Sequence, residues 1–289
     1  MDYRILGRTG LKVSILSFGG IMLDQVSQEK ANKTVAKAIE SGVNLFDVGP
    51  TYGTSQKKLG KALESYRKDV ILTCKTEPEQ TASEVRADIE NSLDLLKTNY
   101  FDIYQLHEVT DEKSLNSSLK KNGALEAIIK AKEEGIIKYI GFSAHSEWAA
   151  LKLMEEFDFD TIMVPINWNY WYQNQWEKVI KEARKTKKGI LAIKALAQRQ
   201  WNPNEQKEGY NTWYKPIFDN VELAELALRF TLSKDIDTAI SPGDTRMLDL
   251  GLKIIKEYSN RSFELSDTEV DRLKKYIKTH GGKLYPIPK

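Results

Sequence analysis

The feature that most limits what this chain can fold into is a regular alternation of short apolar runs with longer segments of helical period. Residues 15–20, 43–48, 70–75, 102–107, 139–143, 161–166, 190–196 and 238–241 are runs of strand length, mostly apolar on both faces. Between them lie segments with apolar residues three and four apart; in 28–41 the series is Ala31, Val35, Ala38 and Ile39, and Gly42 stops it. The others span 55–63, 82–96, 123–134, 147–156, 175–185, 221–232 and 245–258. Strands that bury both faces and alternate with helices belong to a parallel sheet, and eight repeats over roughly 250 residues predict a closed (β/α)8 TIM barrel.

The rival architecture is an open doubly wound sheet, which wants a glycine-rich phosphate loop after its first strand. Phe18-Gly19-Gly20-Ile21-Met22 does not match G-x-G-x-x-G, so the barrel is preferred. Residues 4–14 read as an N-terminal hairpin, and residues 267–278, with Ser266 as N-cap, as an extra C-terminal helix outside the barrel. No low-complexity linker divides the chain, so residues 1–289 are expected to form one domain. Segment 197–220 is too long for an ordinary connection, and its aromatic residues argue for an ordered, functional loop.

Composition narrows the partners. Forty-three basic side chains against forty-one acidic ones leave a net charge of +2, which favours neither nucleic acid nor an anionic membrane surface. A small-molecule substrate is the expectation, acted on by a monomer or small homo-oligomer. Cys74 stands alone, so no internal disulfide or cysteine-based zinc site is possible; no metal is expected. The reduced thiol, the N-terminus without a long apolar segment and the absence of a run of ~20 apolar residues point to a cytoplasmic protein.

Three consecutive strand-like runs end on titratable groups: Asp47, followed by the turn Val48-Gly49-Pro50-Thr51 and Tyr52; Lys75; and His107. In a barrel the carboxyl ends of successive strands converge on one mouth, so these four side chains become neighbours. A nearby ammonium lowers the proton affinity of a buried tyrosine, and a carboxylate keeps that ammonium charged. Lys75 and Asp47 fit those parts, and His107 can hydrogen-bond the oxygen that Tyr52 protonates. Such a proton donor suits reduction of a carbonyl by hydride from a nicotinamide. Taken singly, each residue is more often turn chemistry, packing or a solvated charge; their joint order on three strand ends favours catalysis.

Asp47 to Gly53 resembles the Asp-x-x-x-x-Tyr-Gly signature of the aldo-keto reductases, and Lys75 and His107 match the remaining catalytic positions. Leu6 to Ser14 is similar to the opening of many bacterial members, as are Ile140-Gly141-Phe142-Ser143 and Ser241-Pro242-Gly243. The resemblance covers nearly the whole chain. It implies a barrel that binds NADPH, favoured over NADH, and reduces an aldehyde or ketone, with Tyr52 as general acid. Candidate cofactor residues are Gly20, Ser143, Asn167, Lys194, Ser241, Gly243, Thr245 and Arg246. Ala144 and Met163 stand where the resemblance implies an asparagine and a glutamine on the nicotinamide carboxamide, leaving Ser143 with Asn167 or His145 to take that part. Residues 241–245 would offer backbone N–H groups to the pyrophosphate at a helix N-terminus, and Arg246 is the candidate for a 2′-phosphate.

His145 is read either as a cofactor contact or as a structural cap. Trp168, Trp171, Trp201 and Trp213 are either packing for outer loops or, as preferred here, the lining of an apolar substrate pocket. Asp102 opens its strand while Glu108 follows the end of it, so they cannot act as paired glycosidase carboxylates. Two other functions remain open: a non-catalytic NADPH-binding regulatory subunit of the same fold, and a lyase using Lys75 as a Schiff-base nucleophile.

Overall fold

The computed structural model describes residues 1–76, 79–172, 176–210 and 212–284. Strands β1 (Tyr3–Ile5) and β2 (Lys12–Ser14) pair antiparallel as the N-terminal hairpin. The chain then runs through β3 (Leu16–Gly19), α1 (Gln28–Glu40), β4 (Leu45–Asp47), α2 (Ser55–Leu63), β5 (Ile71–Lys75) and α3 (Ala82–Leu96). Next come β6 (Phe101–Val109), α4 (Glu112–Leu119), α5 (Ala124–Glu133), β7 (Ile137–Ala144), α6 (Glu147–Glu156) and β8 (Thr161–Pro165). The remainder is α7 (Trp176–Lys185), β9 (Gly189–Ile193), β10 (Ala197–Gln200), β11 (Tyr214–Pro216), α8 (Val221–Leu232), β12 (Thr238–Ile240), α9 (Thr245–Glu257) and α10 (Asp267–His280).

β3 to β9 and β12 close into a parallel barrel in the order β12-β3-β4-β5-β6-β7-β8-β9, the (β/α)8 architecture the alternation predicts. Two apolar layers hold it. The larger lies between strands and helices; the smaller fills the barrel interior with Leu45, Ile71, Ile103, Met163, Leu191 and Ile240. Leu6 and Val13 of the hairpin join the interior layer and plug the amino end. The hairpin sits tightly there: Gly7 has φ +48, and a Cβ on it would lie 2.3 Å from the Gly189 nitrogen.

The extra helix is α10, where Ser266 and Glu269 form a reciprocal capping box. Arg229 on α8 reaches Glu269 at 2.6 Å and docks it. Gln175, the first residue of one expected helix, lies outside the described residues; the helix is seen from Trp176. α4 was not expected from the sequence, because only Leu115 and Leu119 carry its apolar face. The long segment after β9 is ordered by the β10–β11 hairpin, which the sequence reading also left undivided.

Candidate active site

Asp47 ends β4 and Lys75 ends β5, two strands in parallel register. Lys75 Nζ lies 2.6 and 2.7 Å from the two Asp47 carboxylate oxygens, and Thr73 Oγ1 donates to the same carboxylate at 2.6 Å. Both charged side chains are almost fully buried. Burial works against the Lys75 ammonium, but Asp47 and Tyr52 outweigh it and raise its pKa above the ordinary value. Gly49 makes the room: a Cβ there would come 3.0 Å from the Lys75 shaft.

The turn after β4 carries Tyr52 back over this pair, with Lys75 Nζ 5.5 Å from its ring centroid. His107 lies edge-on to the same ring at 6.3 Å, and Trp213 covers it at 5.6 Å. The sequence argument expected Lys75 to lower the Tyr52 pKa. Lys75 does act in that direction, but desolvation is larger and the phenol is pushed up to about 12. The Tyr52 phenol is therefore protonated at neutral pH.

These groups line a cavity of about 700 Å³ at the carboxyl end of the barrel, whose walls include Gly19, Ser143, Met163, Ile193, Lys194, Trp201, Trp213, Ser241 and Gly243. Ser143 Oγ accepts from the Glu108 N–H at 3.1 Å, and Ser241 Oγ accepts from the Gly19 N–H at 3.1 Å. Gly20 is packed behind the wall, where a Cβ would lie 2.6 Å from the Asp47 carbonyl, and Gly19 faces the cavity instead.

Several expected contacts are corrected by the geometry. Trp168 is fully buried, its Nε1 donating to the Ala197 carbonyl at 3.1 Å, and Trp171 packs on Phe230 at 5.9 Å; neither lines the cavity. Both serve as outer packing, the reading set aside above. Asn167 spends its amide on the Lys194 and Ala197 carbonyls, at 2.7 and 2.9 Å, and so is not turned toward a carboxamide. Thr245 opens α9 behind the cavity wall. Asp244 caps that helix through the Arg246 N–H and also grips the Arg246 guanidinium at 2.9 Å through two nitrogens. Arg246 stacks 3.5 Å from the centroid of Tyr210 and donates to the Gly209 carbonyl, which ties the outer segment to α9.

The sequence reading missed Glu108 as a wall residue, as well as Thr212, Tyr214 and Leu284. Glu108 had a signal, since it follows His107 directly at a strand end. The others reach the cavity through the β10–β11 hairpin and the C-terminal segment, where Gln200 N donates to the Lys283 carbonyl at 2.6 Å. Asp102 is at the far end of β6, bonded to Arg67, Lys138 and the Leu72 N–H, well away from Glu108. Cys74, beside Lys75, is a buried thiol that desolvation pushes up to about 12.

The closed parallel barrel carries a buried lysine–aspartate pair, a tyrosine and a histidine at its carboxyl end, the end at which barrel enzymes keep their active sites. The chain belongs to the aldo/keto reductase family, whose sequence model matches residues 15–278. It is an NAD(P)H-dependent oxidoreductase of that family. It is 23% identical over 309 residues to the Bacillus subtilis (strain 168) oxidoreductase YqkF, covering 96% of this chain and 97% of that one. L-galactose dehydrogenase of Arabidopsis thaliana is 34% identical over 157 residues, which is 50% of this chain and 48% of the plant protein. The fold superimposes on the holo form of aldo-keto reductase AKR11C1 from Bacillus halodurans with TM-score 0.72 and 21% identity, over 95% and 96% of the two chains. Among the described residues, no helix is long and apolar enough to cross a membrane.

Proposed function

We propose that the enzyme reduces an aldehyde or ketone to the alcohol with Tyr52 as the general acid. The observation that carries this reading is the position of Lys75, locked between the Asp47 carboxylate at 2.6 Å and the Tyr52 ring at 5.5 Å on the cavity floor. A nicotinamide, when bound, supplies the hydride that goes to the carbonyl carbon. The chain's own residues handle the oxygen. As negative charge gathers there, Tyr52 gives up its phenolic proton and His107 hydrogen-bonds the same atom. The phenolate left behind is stabilised by Lys75, and Asp47 keeps Lys75 charged in a dry site. An acid held near 12 remains protonated at neutral pH and still transfers its proton downhill to an alkoxide, a far stronger base.

The cavity fits a nicotinamide cofactor in its inner part. Gly19, Ser143, Lys194, Ser241 and Gly243 line it, with the Ser143 and Ser241 hydroxyls as its hydrogen-bonding groups. Ser143, Lys194, Ser241 and Gly243, all on the cavity wall, would hold the cofactor there. At the outer end, a 2′-phosphate gains Arg246 only by displacing the Asp244 carboxylate, so the NADPH preference is expected to be small. Asp244 opposes a phosphate at the α9 N-terminus in the same way.

The test is fluorescence titration with NADPH and NADH, followed by cofactor consumption across a panel of aldehydes. Binding with turnover supports the reading; tight binding without turnover favours the regulatory alternative. A Schiff-base lyase needs a neutral amine, and Lys75 paired with Asp47 is the wrong group for it. Borohydride trapping of a substrate adduct on Lys75 would reverse that conclusion.

A further inference from the structure

Tyr52 differs from its three partners in how it is held. Asp47, Lys75 and His107 stand on barrel strands whose ladders fix them, whereas Tyr52 rides a turn that leaves the barrel. That turn is tied to the ladder by the Val48 N–H, which donates to the Thr73 carbonyl at 3.1 Å. The backbone bonds that follow, Tyr52 N to the Gly49 carbonyl at 3.1 Å and Ser55 N to the Tyr52 carbonyl at 3.0 Å, lie within the turn itself. Bonds of that kind shape a turn without fixing where it stands over the barrel.

Asp24 supplies a fixed point from outside the turn. It follows the 3-10 turn Gly20–Leu23, and its own N–H closes onto the Ile21 carbonyl at 3.0 Å; Ile21 in turn lines the cavity. Asp24 Oδ1 accepts two hydrogen bonds from Thr54, one from N–H and one from Oγ1, both at 2.9 Å. Thr54 is the N-cap of α2 and makes no cap bond with its own side chain, so Asp24 fills that place from another segment. Gly53, between Tyr52 and Thr54, has φ +56, and a Cβ there would lie 2.7 Å from the Asp24 carboxylate carbon. The glycine lets the carboxylate close on the residues beside the tyrosine. Lys58 completes the clamp from α2, its Nζ donating to Thr54 Oγ1 at 2.6 Å and to the Leu23 carbonyl at 3.1 Å. The Thr54 N–H holds the Asp24 carboxyl below the ordinary carboxylate value, so the acceptor is charged at neutral pH.

We propose that Asp24 is a positioning residue for the reaction: its grip on Gly53 and Thr54 sets where the Tyr52 hydroxyl stands over Lys75, and so its alignment with the substrate oxygen. Asp24 is not on the cavity wall and acts through Tyr52. The inference rests on Tyr52 being the general acid. Misplacing a reacting group by about 1 Å can cost ~10²-fold in rate, which is the scale on which a loosened turn is felt. The structural alternative is that Asp24 caps α2 and does nothing for the chemistry.

The test is single-turnover reduction of an accepted aldehyde at saturating cofactor. Wild type, Asp24→Ala, Asp24→Asn, Tyr52→Phe and the double variant Asp24→Ala/Tyr52→Phe are compared, with NADPH titration and a urea midpoint for each. Asp24→Ala is expected to slow hydride transfer ~10-fold with cofactor affinity unchanged. Asp24→Asn keeps an oxygen acceptor for Thr54 and is expected to retain most of the rate. Because Asp24 acts through Tyr52, the double variant is expected to be no slower than Tyr52→Phe alone. Thr54→Val removes one of the two bonds and reads the same effect at ~3-fold should Asp24→Ala fail to fold. Hydride transfer at the wild-type rate in Asp24→Ala, whatever its urea midpoint, overturns the inference in favour of the cap and leaves the general acid standing. So does a double variant slowed by the product of the two single effects. Tyr52→Phe at the wild-type rate overturns the general-acid reading and this inference with it.

Discussion

The two halves of the barrel mouth are built by different means. On the β4–β6 side, Asp47, Lys75 and His107 project from three adjacent strands, and Tyr52 is only five residues beyond Asp47 in sequence. On the β7–β12 side, the wall is assembled from distant pieces: Lys194 reaches His145, Arg246 reaches back to Gly209, and the β10–β11 hairpin lays Trp201, Trp213 and Tyr214 across the opening. The first half is set chiefly by strand register. The second depends on contacts that no local sequence pattern encodes, and it is there that this chain departs from the family resemblance.

If the first half works as a unit, Lys75→Met should do the most damage. It leaves the Asp47 carboxylate buried without its counter-ion, so ~3 kcal/mol or more of stability should go, read as a lower urea midpoint, together with ~10³-fold in kcat. A variant with wild-type stability would mean the pair is less buried than the geometry requires.

Trp168 and Trp213 sharpen the contrast within the second half. Trp168→Ala removes a fully buried ring and should cost about 3–5 kcal/mol of stability. Trp213 is 66% exposed yet lies over Tyr52, so Trp213→Ala should leave the melting temperature within a few degrees and raise the substrate KM instead. Matching effects from the two substitutions would erase the distinction between packing and lining.

His145, whose ring lies 3.3 Å from the Glu108 carboxylate and 3.2 Å from Lys194 Nζ, should also show in stability against pH. A histidine at about 4 when folded and near 6.5 when unfolded binds fewer protons folded, so stability is full above pH 6.5 and is lost as pH falls toward 4. By pH 5 the loss from His145 alone is about 2 kcal/mol. Urea unfolding of wild type and His145→Gln at pH 7 and pH 5 checks this; the variant should lose less on acidification.

The smallest expected effect is at Asp244. Asp244→Asn removes the carboxylate that neutralises Arg246, and the ratio of NADPH to NADH affinity should rise about 3-fold, as for a partly exposed charge. An unchanged ratio would place the 2′-phosphate elsewhere.

How much of this could be read from the sequence follows the same division. The barrel was legible because each strand run is apolar on both faces and each helix keeps its period. The tetrad was legible because strand ends in a barrel share one mouth. Trp168 and Trp171 were misassigned since side-chain direction in the turn after β8 is set by the Ala197 carbonyl and by Phe230, both far along the chain. Asn167 looked like a ligand but closes the backbone at Lys194, a task visible only once φ +67 at Lys194 is known. The Tyr52 pKa was misjudged because the sequence names the helpful charge on Lys75 and says nothing of how completely the ring is desolvated.

The central claim is that Tyr52 gives the proton. Single-turnover reduction of an aldehyde the wild type accepts, followed by loss of bound nicotinamide absorbance, tests it in Tyr52→Phe with cofactor saturation checked by titration. The account predicts unchanged cofactor binding and hydride transfer slowed ~10³-fold. Transfer at the wild-type rate in Tyr52→Phe would contradict it.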